Sequence, residues 1–369
     1  MMNTQQFMLL HHYAKRRLLQ YPNVIGVGFG CKEVGGEITD LPALRVYVRE
    51  KLARAQLQRA CIVPQKIGGL RTDVLLAQPT AAVAGVASSH CGALTAGAAV
   101  SNMKGVLGRP ETQESGGSGL GTLGFFAVVN GTTARLEVVL VSNHHVLLAH
   151  GARAGDPIYQ PDFTCRNGTY CFQRDSLQPV AEISDEGLEG NYAYSYPGEC
   201  CEEYFIDCAA ARLLNGRGVR YQPAQQLPTG RAPALLKGVA RVHALDIFAG
   251  RELRVRKMGP ATGLTRGRVV DVAAPALASG ARARANNLLI RPAASDIADF
   301  AADGDSGALV VDEQNRAVGL LWGRSQLGRG EGFACHIHPV LDRLNVTPLT
   351  YDPAALAGTR PYGSSVRAL

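Results

Sequence analysis

From Leu120 onward the chain is a succession of short apolar runs, broken at even intervals by glycine, asparagine and proline. The stretch "GTLGFFAVVNGTTARLEVVLVSNHHVLLAH" holds one run, a turn signal at Asn130–Gly131 and a second run. Further strand-like runs fall at Gln178–Ser184, Glu203–Leu213, Glu252–Met258, Arg268–Val272, Asn287–Arg291, Ala308–Asp312, Ala317–Trp322 and Gly332–Ile337. Few helical periods interrupt them, apart from "HPVLDRLNV" near the end. Many short strands with little helix close as antiparallel barrels or sandwiches.

The first part of the chain reads differently. Residues 4–20 have apolar positions at Phe7, Leu10, Tyr13 and Leu18, which predicts a helix. "NVIGVGFGCKEVGGEITDLPALRVYVREKL" and "GGLRTDVLLA" then predict strands with a turn at "EVGGEI". Residues 1–85 are expected to form a small α+β N-terminal module. Residues 86–119, ending in "GRPETQESGGSG", are expected to be a linker, 120–349 the main domain and 350–369 a tail.

Composition narrows the function classes. The 369 residues are 46% hydrophobic and 19% charged, a balance that suits a folded chain. The net charge of +7 is spread over scattered arginines, without a dense basic run interleaved with aromatics, so nothing prompts nucleic-acid binding. Phe7–Leu10 is too short, and its basic residues lie on the wrong side, for a signal peptide. No run has the length of a membrane helix. A cytoplasmic protein with no membrane contact is expected. Its nine cysteines are then mostly free thiols, several of them buried. The group from Cys165 to Cys208 has neither a C-x-x-C pair nor a nearby histidine, and no metal site is assigned to it.

"DGDSGALVV" (303–311) places Ser306 between glycines at the mouth of an apolar strand. It is either a tight turn or the loop of a nucleophile. A nucleophilic serine needs a base, a carboxylate to orient that base, and N–H donors facing the developing oxyanion. His145, in "VVLVSNHHVLLAH", stands where a strand bends back into an apolar run. A histidine there is a base or a packed structural residue. Asp207, in "EEYFIDCAAARLL", is an acid in an apolar stretch. A hydrogen bond from an imidazole would satisfy it; a solvent-facing strand position or a helix cap is the alternative. Gly304 and Ser306 offer two N–H groups for an oxyanion hole, with Asp305 turned inward to hold the loop. The order His, Asp, Ser along the chain is that of chymotrypsin.

On these motifs, segment 120–345 resembles the trypsin-like (chymotrypsin-fold) serine proteases, of the cytoplasmic bacterial sort related to the plant narrow-leaf proteases. "VSNHHVL" resembles the family's histidine motif and aligns the base with His145. "FIDCAAARL" resembles its aspartate strand, and "DGDSGALV" its nucleophile loop, with Ala308 where Gly or Ser is usual. "KMGPATGLTRGRVV" (257–270) resembles a hairpin of bacterial members, with Ala261 for one threonine, and "AVGLLWGRS" resembles the strand lining the substrate cleft. The N-terminal strands look like the module that precedes such domains.

The resemblance implies a mainly β fold of two six-stranded-type antiparallel β-barrels after an α+β module. It implies a serine endopeptidase with His145, Asp207 and Ser306 as triad, and no cofactor. The substrate would be protein or peptide, and the N-terminal module is a place for a regulatory partner. By the same resemblance Phe300 is the floor of the specificity pocket, favouring small or apolar side chains. A basic side chain would fit instead if Asp299 turned in. Leu321, Trp322 and Gly323 form an edge able to pair with an extended peptide, though Trp322 also suits a core. A catalytically silent protease-fold scaffold binding a peptide or protein is the competing reading.

Overall fold

The architecture is that of a computed structural model. It describes residues 4–58, 61–77, 80–82, 94–104, 119–131, 137–161, 163–166, 169–172, 178–214, 221–225, 234–277, 283–293, 299–325, 330–351 and 366–367. Helix α1 (Thr4–Leu18) buries Phe7, His11, Ala14 and Leu18, spaced to share one face. Tyr13, expected on that face, is largely exposed. Strands β1 (Val24–Val34) and β2 (Glu37–Val48) form a hairpin turned by Gly35 and Gly36, both at positive φ. β3 (Lys66–Ile67) pairs with β4 (Leu70–Leu76), which runs parallel to β2. β5 (Thr80–Ala82) leaves this group for a different strand, described below.

The middle of the chain supplies β6 (Leu94–Ala96), β7 (Ala99–Ser101), β8 (Leu120–Thr122), β9 (Phe125–Val129) and β10 (Val138–Ser142). The one-turn helix α2 (His144–Leu147) and β11 (Pro157–Tyr159) follow, then a side hairpin of β12 (Phe163–Arg166) and β13 (Thr169–Phe172). β14 (Pro179–Tyr194) and β15 (Glu202–Leu213) form a long antiparallel pair. β16 (Tyr221–Gln225) and β17 (Ala234–Leu235) make a small sheet with β6.

After helix α3 (Ala244–Phe248) come β18 (Arg254–Gly259), β19 (Gly263–Ala276), β20 (Arg284–Pro292), β21 (Leu309–Asp312), β22 (Ala317–Ser325) and β23 (Gly332–His336). Helix α4 (Ile337–Leu344) and β24 (Val346–Pro348) end the main body.

Two sheets result. One has the order β24-β9-β10-β15-β14-β11-β7-β8. In the other, β18-β21-β22-β23-β20-β19 closes on itself, because β19 also pairs with β18, giving a six-strand barrel. The mainly β, chymotrypsin-like two-barrel plan expected from the sequence is present. The N-terminal strands continue the second sheet, with β1 against β19 at Gly30↔Asp271. A buried ionic seam fastens them there. Asp271 accepts from the Tyr47 hydroxyl (2.6 Å) and the Phe29 N–H (3.1 Å), and Arg45 Nε lies 3.5 Å from it. Arg45 also donates to the Val270 carbonyl at 3.0 Å. Burial pushes the Asp271 carboxyl above its usual range, partly opposed by Arg45.

Several strand lengths differ from the sequence reading. β14 runs to Tyr194 rather than Ser184, because its half-buried residues and register shifts near Ile183–Leu188 blur the alternation. Gly131 does turn at φ +82, but β10 begins only at Val138, so a two-residue hairpin is not what joins β9 to β10. Part of the expected linker, β7, is built into the first sheet; most of 108–119 and of the tail lies outside the described residues. Cys31, Cys208 and Cys335 are buried free thiols.

Candidate active site

His145 and Asp207 come together through adjacent strands. β10 pairs with β15, with Ser142 opposite Ala209, and β10 then ends in α2. Asn143, at the start of that turn, donates its side-chain N–H to the Asp207 carbonyl at 2.6 Å and accepts from the Leu147 N–H. The turn is thereby fixed against β15. His145 Nδ1 lies 2.5 Å from Asp207 Oδ2, and the His145 backbone N–H donates to Asp207 Oδ1 at 3.2 Å. Asp207 is buried, so the solvent-facing alternative is not the one realised, and the imidazole satisfies it.

Burial alone would lower the His145 pKa. The Asp207 charge and hydrogen bond outweigh it, Glu189 adds to them, and the net direction is upward. His144 points elsewhere, its ring nitrogen 3.9 Å from Glu189.

Ser306 sits between β20 and β21 on a loop held from within. Asp305 accepts from Lys257 Nζ (2.8 Å), the Thr262 hydroxyl (2.7 Å) and the N–H groups of Ala261 (3.1 Å), Thr262 (3.3 Å) and Ala302 (3.1 Å). Lys257 and Asp305 are fully buried, and Lys257 also reaches the Thr262 hydroxyl. Desolvation lowers the Lys257 pKa, against the pull of Asp305. The "KMGPAT" hairpin therefore wraps the acid next to Ser306. Ala261 serves through its backbone N–H, so the missing threonine side chain is not needed for that bond.

Gly304 (φ +107) and Gly307 (φ +93) hold conformations that favour glycine. The Gly304 carbonyl accepts from the Thr122 hydroxyl at 2.7 Å, and the Ser306 carbonyl from the Thr122 N–H at 2.7 Å. Among the described residues, the N–H groups of Gly304 and Ser306 meet no acceptor.

The Ser306 loop and the histidine turn meet at Gly121. A Cβ there would lie 2.4 Å from Val146 and 2.8 Å from the Ser306 carbonyl. The Ser306 hydroxyl, however, donates to the Trp322 carbonyl at 3.2 Å, and the buried His145 Nε2 has no hydrogen-bond partner among the described residues.

The expected substrate residues divide. Leu321 and Trp322 turn their side chains into the core. The Trp322 indole donates to Asn287 (3.0 Å), packs on Phe205 and Phe333, and carries the Arg284 guanidinium over its ring. The core alternative for the Trp322 side chain is the one realised, and these two residues present only backbone to the edge. Gly323 is on that edge. Phe300 is fully buried and wedged between Gly267 and Gly332, where a Cβ on either glycine would approach its ring to 2.8 Å. Asp299 is exposed; a Cβ on Gly330 would meet its carboxylate.

Lys257 and Thr122 had no role in the sequence reading. A lysine at the inward-facing alternation of "RVRKMG" was the available signal for the first. No metal-ligating cluster occurs among the described residues. A cavity of about 850 Å³ lies under α1, lined partly by Lys15, Arg49, Glu202 and Pro275, remote from Ser306.

No family model matches the chain, and no curated protein matches it. Solved structures similar to it in form are serine proteases. Thermobifida fusca protease A is 14% identical, with a TM-score of 0.42 over 70% of this chain and 100% of that one. Cellulomonas bogoriensis chymotrypsin is 16% identical, with a TM-score of 0.39 over 70% and 99%. A glutamic acid-specific serine protease that uses a histidine triad in substrate binding is 16% identical, with a TM-score of 0.41 over 69% and 100%.

Proposed function

We propose that this chain is a serine endopeptidase acting through His145, Asp207 and Ser306. The observation that carries the reading is the buried Asp207 carboxylate on His145 Nδ1, which leaves Nε2 as the ring's one available base. For reaction, the Ser306 hydroxyl must leave the Trp322 carbonyl and turn toward Nε2. His145 then takes its proton as Oγ attacks a peptide carbonyl. Asp207 stabilises the imidazolium, and the unsatisfied N–H groups of Gly304 and Ser306 receive the oxyanion. The imidazolium protonates the leaving amine, and water hydrolyses the acyl-enzyme. The buried Phe300 ring supports a shallow pocket for small or apolar side chains.

A cytoplasmic enzyme with few protein substrates, akin to the bacterial relatives of the plant narrow-leaf proteases, is the setting we propose. Unrestricted proteolysis there would be harmful. The N-terminal unit is a candidate surface for a regulatory partner. Among the described residues no helix is long and apolar enough to cross a membrane. The Ser306–Trp322 bond favours a second reading, a silent scaffold that binds peptide. A peptide-library cleavage profile of wild type beside Ser306→Ala separates the two. Cleavage after small or apolar residues, absent in the variant, is expected. No cleavage supports the scaffold, and a profile dominated by arginine or lysine contradicts the role given to Phe300.

A further inference from the structure

Strand β22 has two edges. One is taken by β23 along its length, including Leu321↔Ala334 and Arg324↔Gly332. The other is taken by β21 only as far as Leu309↔Leu320. Beyond that point the nucleophile loop takes over: the Gly307 N–H donates to the Leu321 carbonyl, and the Ser306 hydroxyl to the Trp322 carbonyl. The next three positions on the same edge are filled by the chain itself. Ala82 pairs with Gly323, Ala81 with Arg324 and Thr80 with Ser325, all antiparallel.

From this we infer that Thr80–Ala82 is a built-in pseudosubstrate: it occupies the edge where a peptide substrate must pair, so that substrate competes with the protein's own strand. The inference rests on the proposed peptidase reading and names its substrate class, an extended peptide with small side chains at the paired positions. Direction supports it. β5 runs toward Ser306 with its C-terminal end leading, which is how the acyl side of a peptide must approach a nucleophile. Sequence supports it as well, since Thr-Ala-Ala is a run of small residues, the side-chain class proposed for the substrate.

Topology adds the third support. β5 lies on the covalent path from β4, in the second-barrel sheet, to β7, in the first. It is tethered at both ends. A tether of this length holds a segment at an effective concentration on the order of millimolar, so a free peptide meets a resident competitor. Strand addition draws its affinity from main-chain hydrogen bonds, which a resident strand satisfies as well as a visitor does.

The test needs no catalysis. In the full chain carrying Ser306→Ala, a fluorescein-labelled peptide with the sequence of residues 78–83 is titrated and binding is read by anisotropy. Adjacent residues of an antiparallel strand alternate in the direction of their N–H groups. One of Ala81→Pro and Ala82→Pro must therefore remove a ladder bond. At least one of these variants is expected to bind the peptide about tenfold more tightly than the parent. Replacing Thr80, Ala81 and Ala82 together by glycine, a milder change, is expected to move binding the same way. Circular dichroism verifies folding of each protein. Equal affinity in the parent and all folded variants overturns the inference. Tighter binding in the variants, with no hydrolysis of the same peptide when Ser306 is restored, keeps the resident strand and removes the peptidase reading.

Discussion

Two buried aspartates flank the proposed reaction centre, and they are held in opposite ways. Asp305, in the second barrel, is enclosed by Lys257, Thr262 and three backbone N–H groups, all of its partners fixed in the fold. Asp207, on β15 of the first sheet, gives one oxygen to the His145 ring, a titratable group whose other nitrogen has no partner among the described residues. The first arrangement holds a loop in place. The second places a charge beside the ring that we propose takes the proton. The same residue type thus holds a loop in one place and, in the mechanism proposed above, orients a base in the other; the difference is whether its partners are enclosed by the fold or lead on to a second ring nitrogen.

The sharpest way to break this contrast is Asp207→Asn. It should lower kcat by about 10⁴-fold by favouring the wrong imidazole tautomer. Steady-state turnover measures this, and a loss under tenfold would mean that Asp207 merely packs. Lys257→Met should act on the fold instead. It leaves the Asp305 carboxylate buried without its counter-charge, and urea unfolding should report a loss of about 3–5 kcal/mol. Adding Asp305→Asn to it should restore part of that stability, and no recovery would argue against a direct pair. Thr122→Val removes the bond to the Gly304 carbonyl. If that bond sets the direction of the oxyanion loop, kcat should fall about tenfold with KM little changed, less than the loss of an oxyanion donor itself.

The smallest effect is on pH dependence. The reaction needs neutral His145, whose pKa is raised, so kcat/KM should climb with pH through a midpoint above the ordinary histidine value. Glu189→Gln removes one of the charges that raise it and should move the midpoint down. An upward or absent shift would sink that assignment.

Much of this was legible in the sequence because buried polar residues stand out against apolar strands. Asp207 in "YFIDCAAA" and Ser306 between glycines are visible for that reason, and they lie where two β layers meet. The strand edge at Leu321–Gly323 was legible too, through the likeness of "AVGLLWGRS" to a cleft-lining strand. Its occupant was not, because Thr80–Ala82 is a three-residue alanine-rich piece with no periodicity of its own. Its pairing partner lies far along the chain, and only the closure of the second barrel brings it near. The Trp322 side chain was ambiguous for the opposite reason. A large aromatic suits a cleft or a core equally, and the choice follows from Asn287 and Phe205, which local sequence does not place beside it.

The most direct measurement is the site of covalent modification by a fluorophosphonate, mapped by peptide mass spectrometry. It is made on wild type, on the Ala81→Pro and Ala82→Pro proteins, and on His145→Ala and Ser306→Ala controls. The account predicts a single adduct on Ser306, absent from both controls and formed faster in at least one proline variant. Folded protein that gains no adduct in any form, or one that survives in the His145→Ala control at an undiminished rate, would contradict it.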